Sequence, residues 1–207
     1  MKSALIITAI IYLFTSNCKR QPIISLKTTA KKQIIAIQPL DNYNVQEIAI
    51  VLKEISCFYN KQLIILKPIE IPGTYFNQIV DKYSGDSIII LLSKLQNDSI
   101  VEIVGLTHER IYTIKEDKSI SYYDEDIFGM GYLPGNSCVI SDFRFMSKDT
   151  AIFHHRMRNV IIHEIGHNAG LPHCSDNNCI MSKTNGNVSS LDNGGNDYCN
   201  KCKKKLN

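Results

Sequence analysis

Residues 163–173 read His163-Glu164-Ile165-Gly166-His167-Asn168-Ala169-Gly170-Leu171-Pro172-His173. On a helix, His163 and His167 are four apart and share one face, one turn from each other, so two imidazoles can reach one metal ion. Glu164 falls beside them, close enough to touch a water there without serving as a ligand. Gly170 ends the helix, because glycine accepts the left-handed conformation that a helix terminus often needs. Pro172 prevents continuation, and the chain turns back to bring His173 as a third ligand. Three protein nitrogens with a fourth position open to water describe catalytic zinc, whereas a structural site is more often closed by a fourth protein ligand. Zinc held this way polarises a carbonyl and lowers the pKa of water towards about 7. Glu164 would take the proton of that water and deliver it to a leaving amine. The expected reaction is hydrolysis of an amide bond. A surface helix with unrelated histidines would not explain a Gly, a Pro and a third His at these offsets. His108, His154 and His155 lack such spacing and read as surface or framework residues.

The pattern predicts a helix from 151 to 169 around this stretch. Upstream, Ile34 to Gln38 reads as a first strand ended by Pro39. Val45, Ile48, Ala49, Leu52, Ile55 and Cys57 recur at helical spacing up to Tyr59, with Asp41 or Asn42 as a cap. A second strand runs from Leu63 to Leu66, and Ser84-Gly85-Asp86 opens a second helix through Leu95. Ile100 to Leu106 is nearly all apolar, the mark of a strand buried on both faces. Ile111–Ile114 and Ser119–Tyr123 read as a hairpin around Glu116-Asp117-Lys118. Ser137 to Phe145 alternates imperfectly and reads as an exposed or edge strand, able to pair with an extended peptide. Strands and helices in this order predict a mixed α/β sheet domain. The 207 residues suffice for one buried core, and 44% apolar with 21% charged residues is ordinary for a soluble globular chain.

Past Gly170 the chain loses periodicity and becomes rich in Cys, Asn, Gly and Ser, so it needs cross-links to stay folded. Cys174, Cys179, Cys199 and Cys202 form two close pairs. Close thiolate pairs suit tetrahedral zinc. Two disulfides are the rival in an exported chain, and the short Cys199–Cys202 spacing favours metal. Cys57 and Cys138 lie on apolar patterns and read as small buried hydrophobes.

Taken together, residues 163–202 follow His-Glu-x-x-His-x-x-Gly-x3-Cys-x4-Cys-x-Met-x17-Cys-x-x-Cys. This segment closely resembles the archaemetzincin family of zinc metallopeptidases in the metzincin clan. Weaker similarity reaches back through Val139-Ile140-Ser141-Asp142-Phe143-Arg144. The resemblance implies a single metzincin-like catalytic domain: a twisted mixed sheet, a backing helix, an active-site helix and a zinc-stabilised C-terminal segment. It implies two zinc ions per chain, one on His163, His167 and His173 and one on Cys174, Cys179, Cys199 and Cys202. Met181 matches the methionine beneath the catalytic metal, with a packing role, since a thioether is a weak zinc ligand. Peptides or proteins are the implied substrates. A non-catalytic zinc-stabilised binding module and a zinc amidase acting on non-peptide amides are the alternatives. The module would have little use for Glu164.

The N-terminus reads separately. Lys2, an apolar run from Ala4 to Phe14 and Thr15-Ser16-Asn17-Cys18 have the layout of an export signal. Cys18 stands where a bacterial lipoprotein would carry its acyl chains, so the segment resembles a lipobox, with Thr15 and Asn17 in place of the commoner residues. The expected organisation is a signal over 1–17, a tether over 18–33 and the catalytic domain over 34–207. This predicts an exported, membrane-anchored lipoprotein, with the cytoplasm as the alternative that the family suggests. Lys203, Lys204 and Lys205 read as a solvated tail, so no nucleic-acid partner is expected.

Overall fold

The computed structural model describes residues 34–113, 126–184 and 186–206. The segments read as signal and tether, Cys18 included, lie outside the described residues. Strand β1 (Ile34–Pro39) leads through a 3-10 turn at Val45–Ile48 into helix α1 (Ala49–Tyr59), then strand β2 (Gln62–Ile65). Two short strands follow, β3 (Phe76–Asn77) and β4 (Lys82–Ser84), and then helix α2 (Gly85–Ser93). Strands β5 (Ile100–Thr107), β6 (Ile111–Tyr112), β7 (Gly129–Gly131) and β8 (Ser137–Ser141) precede the long helix α3 (Thr150–Asn168). Two short helices, α4 (Val188–Asn193) and α5 (Asn200–Leu206), complete the mixed α/β domain.

The main sheet has the order β2-β1-β5-β8-β7. The first four strands are mutually parallel, and β7 runs antiparallel to β8. Ile35, Ile37, Val104, Leu106, Cys138 and Ile140 pack one face of the sheet against α1 and α3. Ala36, Ile103 and Val139 pack the other against Ile88, Ile89 and Leu92 of α2. Apolar side chains on both faces are what interior parallel strands require. A smaller sheet has the order β3-β4-β6. No helix among the described residues is long and apolar enough to cross a membrane.

Four expectations need correction. The strand read as an edge, Ser137 onward, is buried throughout and lies between β5 and β7, so it offers no free edge. Among the described residues, the edge on that side belongs to β7. Of the expected hairpin, Ile111–Tyr112 pairs in parallel with β4, and the second arm lies outside the described residues. The turn before α1 is capped by Asn44, whose side chain accepts from the Gln46 N–H, while Asp41 instead accepts from the Ile71 N–H. Cys138 is fully buried as expected, but Cys57 is half-buried and disulfide-bonded.

Candidate active site

Helix α3 is started by Asp149, whose carboxylate accepts from the N–H groups of Ala151 and Ile152. Gly170 at φ +95° ends it, with Leu171 N–H donating to the Gly166 carbonyl. That turn brings His173 round to the ring pair of α3. The ring centroids of His163, His167 and His173 are 4.7, 4.8 and 5.3 Å apart, and one nitrogen from each falls within 4.8 Å of the others.

The protonation of two rings follows from their neighbours. His163 Nδ1 stands 2.7 Å from the Ile180 carbonyl oxygen, and His167 Nδ1 stands 2.8 Å from that of Leu171. A carbonyl can only accept, so both Nδ1 atoms carry the proton and both Nε2 atoms present lone pairs. Those two Nε2 atoms are 3.0 Å apart. Facing lone pairs at that distance repel unless a cation lies between them, so the donor set fits a metal ion. Burial, with His167 beside it, pushes the His163 pKa down to about 3. Burial also lowers His167 and His173. All three rings are therefore neutral near pH 7, the form a metal needs.

Glu164 is buried beside this cluster. Burial pushes its pKa up to about 8, against the opposing effect of a hydrogen bond from the Gly131 N–H on β7. Glycine is required here: a Cβ on Gly129 would come within 2.8 Å of Glu164 Cγ. The cluster opens into a cavity of about 490 Å³, lined by Gly129, Met130 and Gly131 of the sheet edge with Val160, Ile180 and Leu191 opposite. Met181 is fully buried beneath the helix, its sulfur so close to Gly166 that a Cβ there would lie 2.4 Å away. Its role here is packing.

Cys174, Cys179, Cys199 and Cys202 are free thiols whose sulfurs gather within 4.8 Å. Cys174 and Cys199 are 3.8 Å apart, and Cys179 and Cys202 are 3.7 Å apart. Zn–S bonds of about 2.3 Å at tetrahedral angles put sulfurs about 3.8 Å apart, whereas a disulfide needs about 2.05 Å. The quartet fits zinc. The Cys199 N–H points at the Cys179 sulfur at 3.3 Å, as expected for a thiolate. His108, His154 and His155 stay outside both clusters, bonded to Asp142, the Glu47 carbonyl and the Leu191 carbonyl.

Sequence reading missed the orienting carbonyls of Ile180 and Leu171, because a backbone atom leaves no residue-type signal. It also missed Tyr198, whose hydroxyl donates to the Ile162 carbonyl at 2.8 Å and ties the C-terminal segment to α3.

A model of peptidase family M54 matches residues 40–207. The archaemetzincin of Archaeoglobus fulgidus is 27% identical over 172 residues, covering 83% of this chain and 98% of its own. That of Methanocaldococcus jannaschii is 28% identical over 172 residues, covering 83% and 92%. The crystal structure of the Archaeoglobus fulgidus protein, complexed with malonate, superposes with TM-score 0.70 at 26% identity, over 84% of this chain and 99% of that one. A zinc-dependent peptidase from Methanocorpusculum labreanum shares the fold at TM-score 0.69 and 20% identity, over 84% of this chain and 100% of its own.

Proposed function

Since the chain belongs to peptidase family M54 and is a zinc metallopeptidase, we propose that Glu164 is its general base and that two zinc ions are bound. His163, His167 and His173 would hold the catalytic ion; Cys174, Cys179, Cys199 and Cys202 would hold a structural one. The observation that carries this is the pair of Nδ1–carbonyl bonds, which leaves two Nε2 lone pairs converging beside a buried carboxylate. Zinc, when bound, supplies Lewis acidity to the scissile carbonyl and acidity to the attacking water. Glu164 Oε1 or Oε2 takes the water's proton and returns it to the leaving nitrogen. Gly131 N–H steadies that carboxylate while it is ionised. The substrate is a peptide or protein, and its extended backbone would lie along β7, the sheet edge that lines the cavity. A non-catalytic module has no use for a buried carboxylate at this point. The purified chain is expected to hold two zinc equivalents, to cut a peptide library, to lose that activity on chelation and to regain it with zinc. One equivalent in fully active protein would overturn the two-ion reading. Cleavage of simple amides but no peptide would favour the amidase.

We also propose export and anchoring through Cys18. The disulfide on Cys57 supports export alone, because such bonds persist in oxidising compartments, and anchoring rests only on the lipobox-like layout of Thr15-Ser16-Asn17-Cys18. Stable anchoring takes more than one acyl chain, which a lipoprotein cysteine can carry. The protein is expected to fractionate with membranes, and Cys18→Ala to release it or leave it unprocessed. Mass spectrometry finding Cys18 unacylated and bonded to Cys57 would refute anchoring and leave export intact, since one sulfur cannot do both.

A further inference from the structure

Two buried side chains beyond the metal ligands bear on the catalytic carboxylate. Asn168, the last residue of α3, is 4% exposed, and Glu102 on β5 is 3% exposed. Asn168 Nδ2 and Glu102 Oε1 are 2.6 Å apart. The Asn168 backbone carbonyl accepts from the Gly135 N–H at 3.0 Å. Its side-chain oxygen presses on the sheet edge and the loop beyond: a Cβ on Gly131 would lie 3.0 Å from it, and one on Gly135 2.5 Å. Gly131 in turn donates to the Glu164 carboxylate, and a Cβ on it would lie 2.8 Å from the Glu164 carbonyl. An unbroken line of contacts therefore runs from β5 through Glu102, Asn168 and Gly131 to Glu164.

We propose that Glu102 and Asn168 are a positioning pair, which holds the end of α3 against β5 and β7 and thereby sets where the Glu164 carboxylate stands. The proposal rests on Glu164 being the base. Its chemistry is that of a neutral acid. A carboxylate sunk in the sheet would be costly to ionise, and burial pushes Glu102 up to about 8 despite hydrogen bonds from Asn168 and Cys138. Asn168 Nδ2 donates to Glu102 Oε1 at 2.6 Å, and a neutral carboxyl oxygen accepts that bond as a carboxylate would. The two residues couple a strand in mid-sheet to the last turn of the helix, next to His167, and neither touches substrate. A loose pair would let the edge strand and the carboxylate drift apart while the three histidines kept their metal.

The test compares Glu102→Ala, Asn168→Ala, the double variant and Glu102→Gln, each assayed for zinc content, KM and kcat on one peptide. The expected result is a kcat lower by about 10–100-fold in both Ala variants, with KM and zinc content unchanged. The double variant should fall no further than the worse single one. Glu102→Gln, which keeps a neutral acceptor for the Asn168 amide in the same place, should recover most of the lost kcat. Wild-type kcat in both Ala variants overturns the proposal, as does a loss that follows zinc occupancy or KM, or a Gln variant as poor as the Ala one. If Glu102→Ala does not fold, Asn168→Ala decides alone, since it removes the amide and leaves the strand intact. A wild-type rate in Glu164→Gln removes the base reading and this one with it. An inactive Glu164→Gln beside fully active Ala variants removes only the positioning.

Discussion

Substituting Glu164 by Gln is expected to leave zinc content unchanged while peptide hydrolysis falls by about 10²–10⁴-fold, the usual cost of losing a positioned general base. The amide has the same shape as the carboxyl, and its oxygen can still accept from the Gly131 N–H that the carboxylate uses now. What disappears is the capacity to take a proton from water and give it back. Burial raises the carboxyl's affinity for protons above that of an exposed carboxylate, and the charge of a bound metal would oppose that rise. With the metal on three histidines, as proposed, metal analysis and rate should separate. A variant that cuts peptides at the wild-type rate would assign the proton transfer elsewhere. One that loses its metal would make Glu164 part of the binding set.

Cys179→Ser should lower zinc from two equivalents to one and also cut activity by about 10–100-fold, although the residue never meets substrate. Cys179 is fully buried, with its sulfur 3.7 Å from that of Cys202. The residue after it, Ile180, supplies the carbonyl that orients His163, and the next, Met181, packs under the helix against Gly166. A quartet that no longer closes on its ion releases this run of three residues, because metal binding energy in such a segment is folding energy. His163 then loses the acceptor that fixes its ring, a loss of the size known for outer-shell partners of metal ligands. Thermal unfolding, zinc content and kcat/KM on the same preparation give the measurement. Full activity with one zinc lost would show that the two centres are independent.

The two clusters of candidate ligands were legible because their information is local. A four-residue spacing on a helix, a Gly at its end and a Cys-x-x-Cys need no knowledge of the rest of the chain. Sheet order is different. Ser137 and Ser141 at the ends of β8, with Asp142 after it, made an interior strand look half-exposed. In the folded chain Ser141 donates to the Glu109 carbonyl and Asp142 Oδ1 meets His108 Nδ1. The true edge, Gly129-Met130-Gly131, has little strand propensity. Glycines stand there because Glu164 and Asn168 press against them, and nothing in the local pattern shows that pressure. One signal was visible and unused. Glu102 interrupts the apolar run of β5, and an acid in a strand buried on both faces is a departure that calls for a partner. Spacing already favoured metal over disulfides for the four cysteines, and the resemblance to archaemetzincins added the full ligand set.

The topology of the main sheet also bears on how the chain reaches this state. In the register of the parallel strands Ile34 lies opposite Ile100, and Val104 lies opposite Cys138. Each of those pairings closes a long stretch of chain before any contact rewards it, and folding rates fall as such distant contacts come to dominate. The shared face of the histidine pair is set by one helix alone. The Gly131 N–H that meets Glu164 is not, since it sits on β7, which is placed by pairing with β8 and packing against α3. The place of the carboxylate therefore depends on strand pairing that the helix by itself does not supply, and the candidate site is complete only when the sheet edge has joined α3.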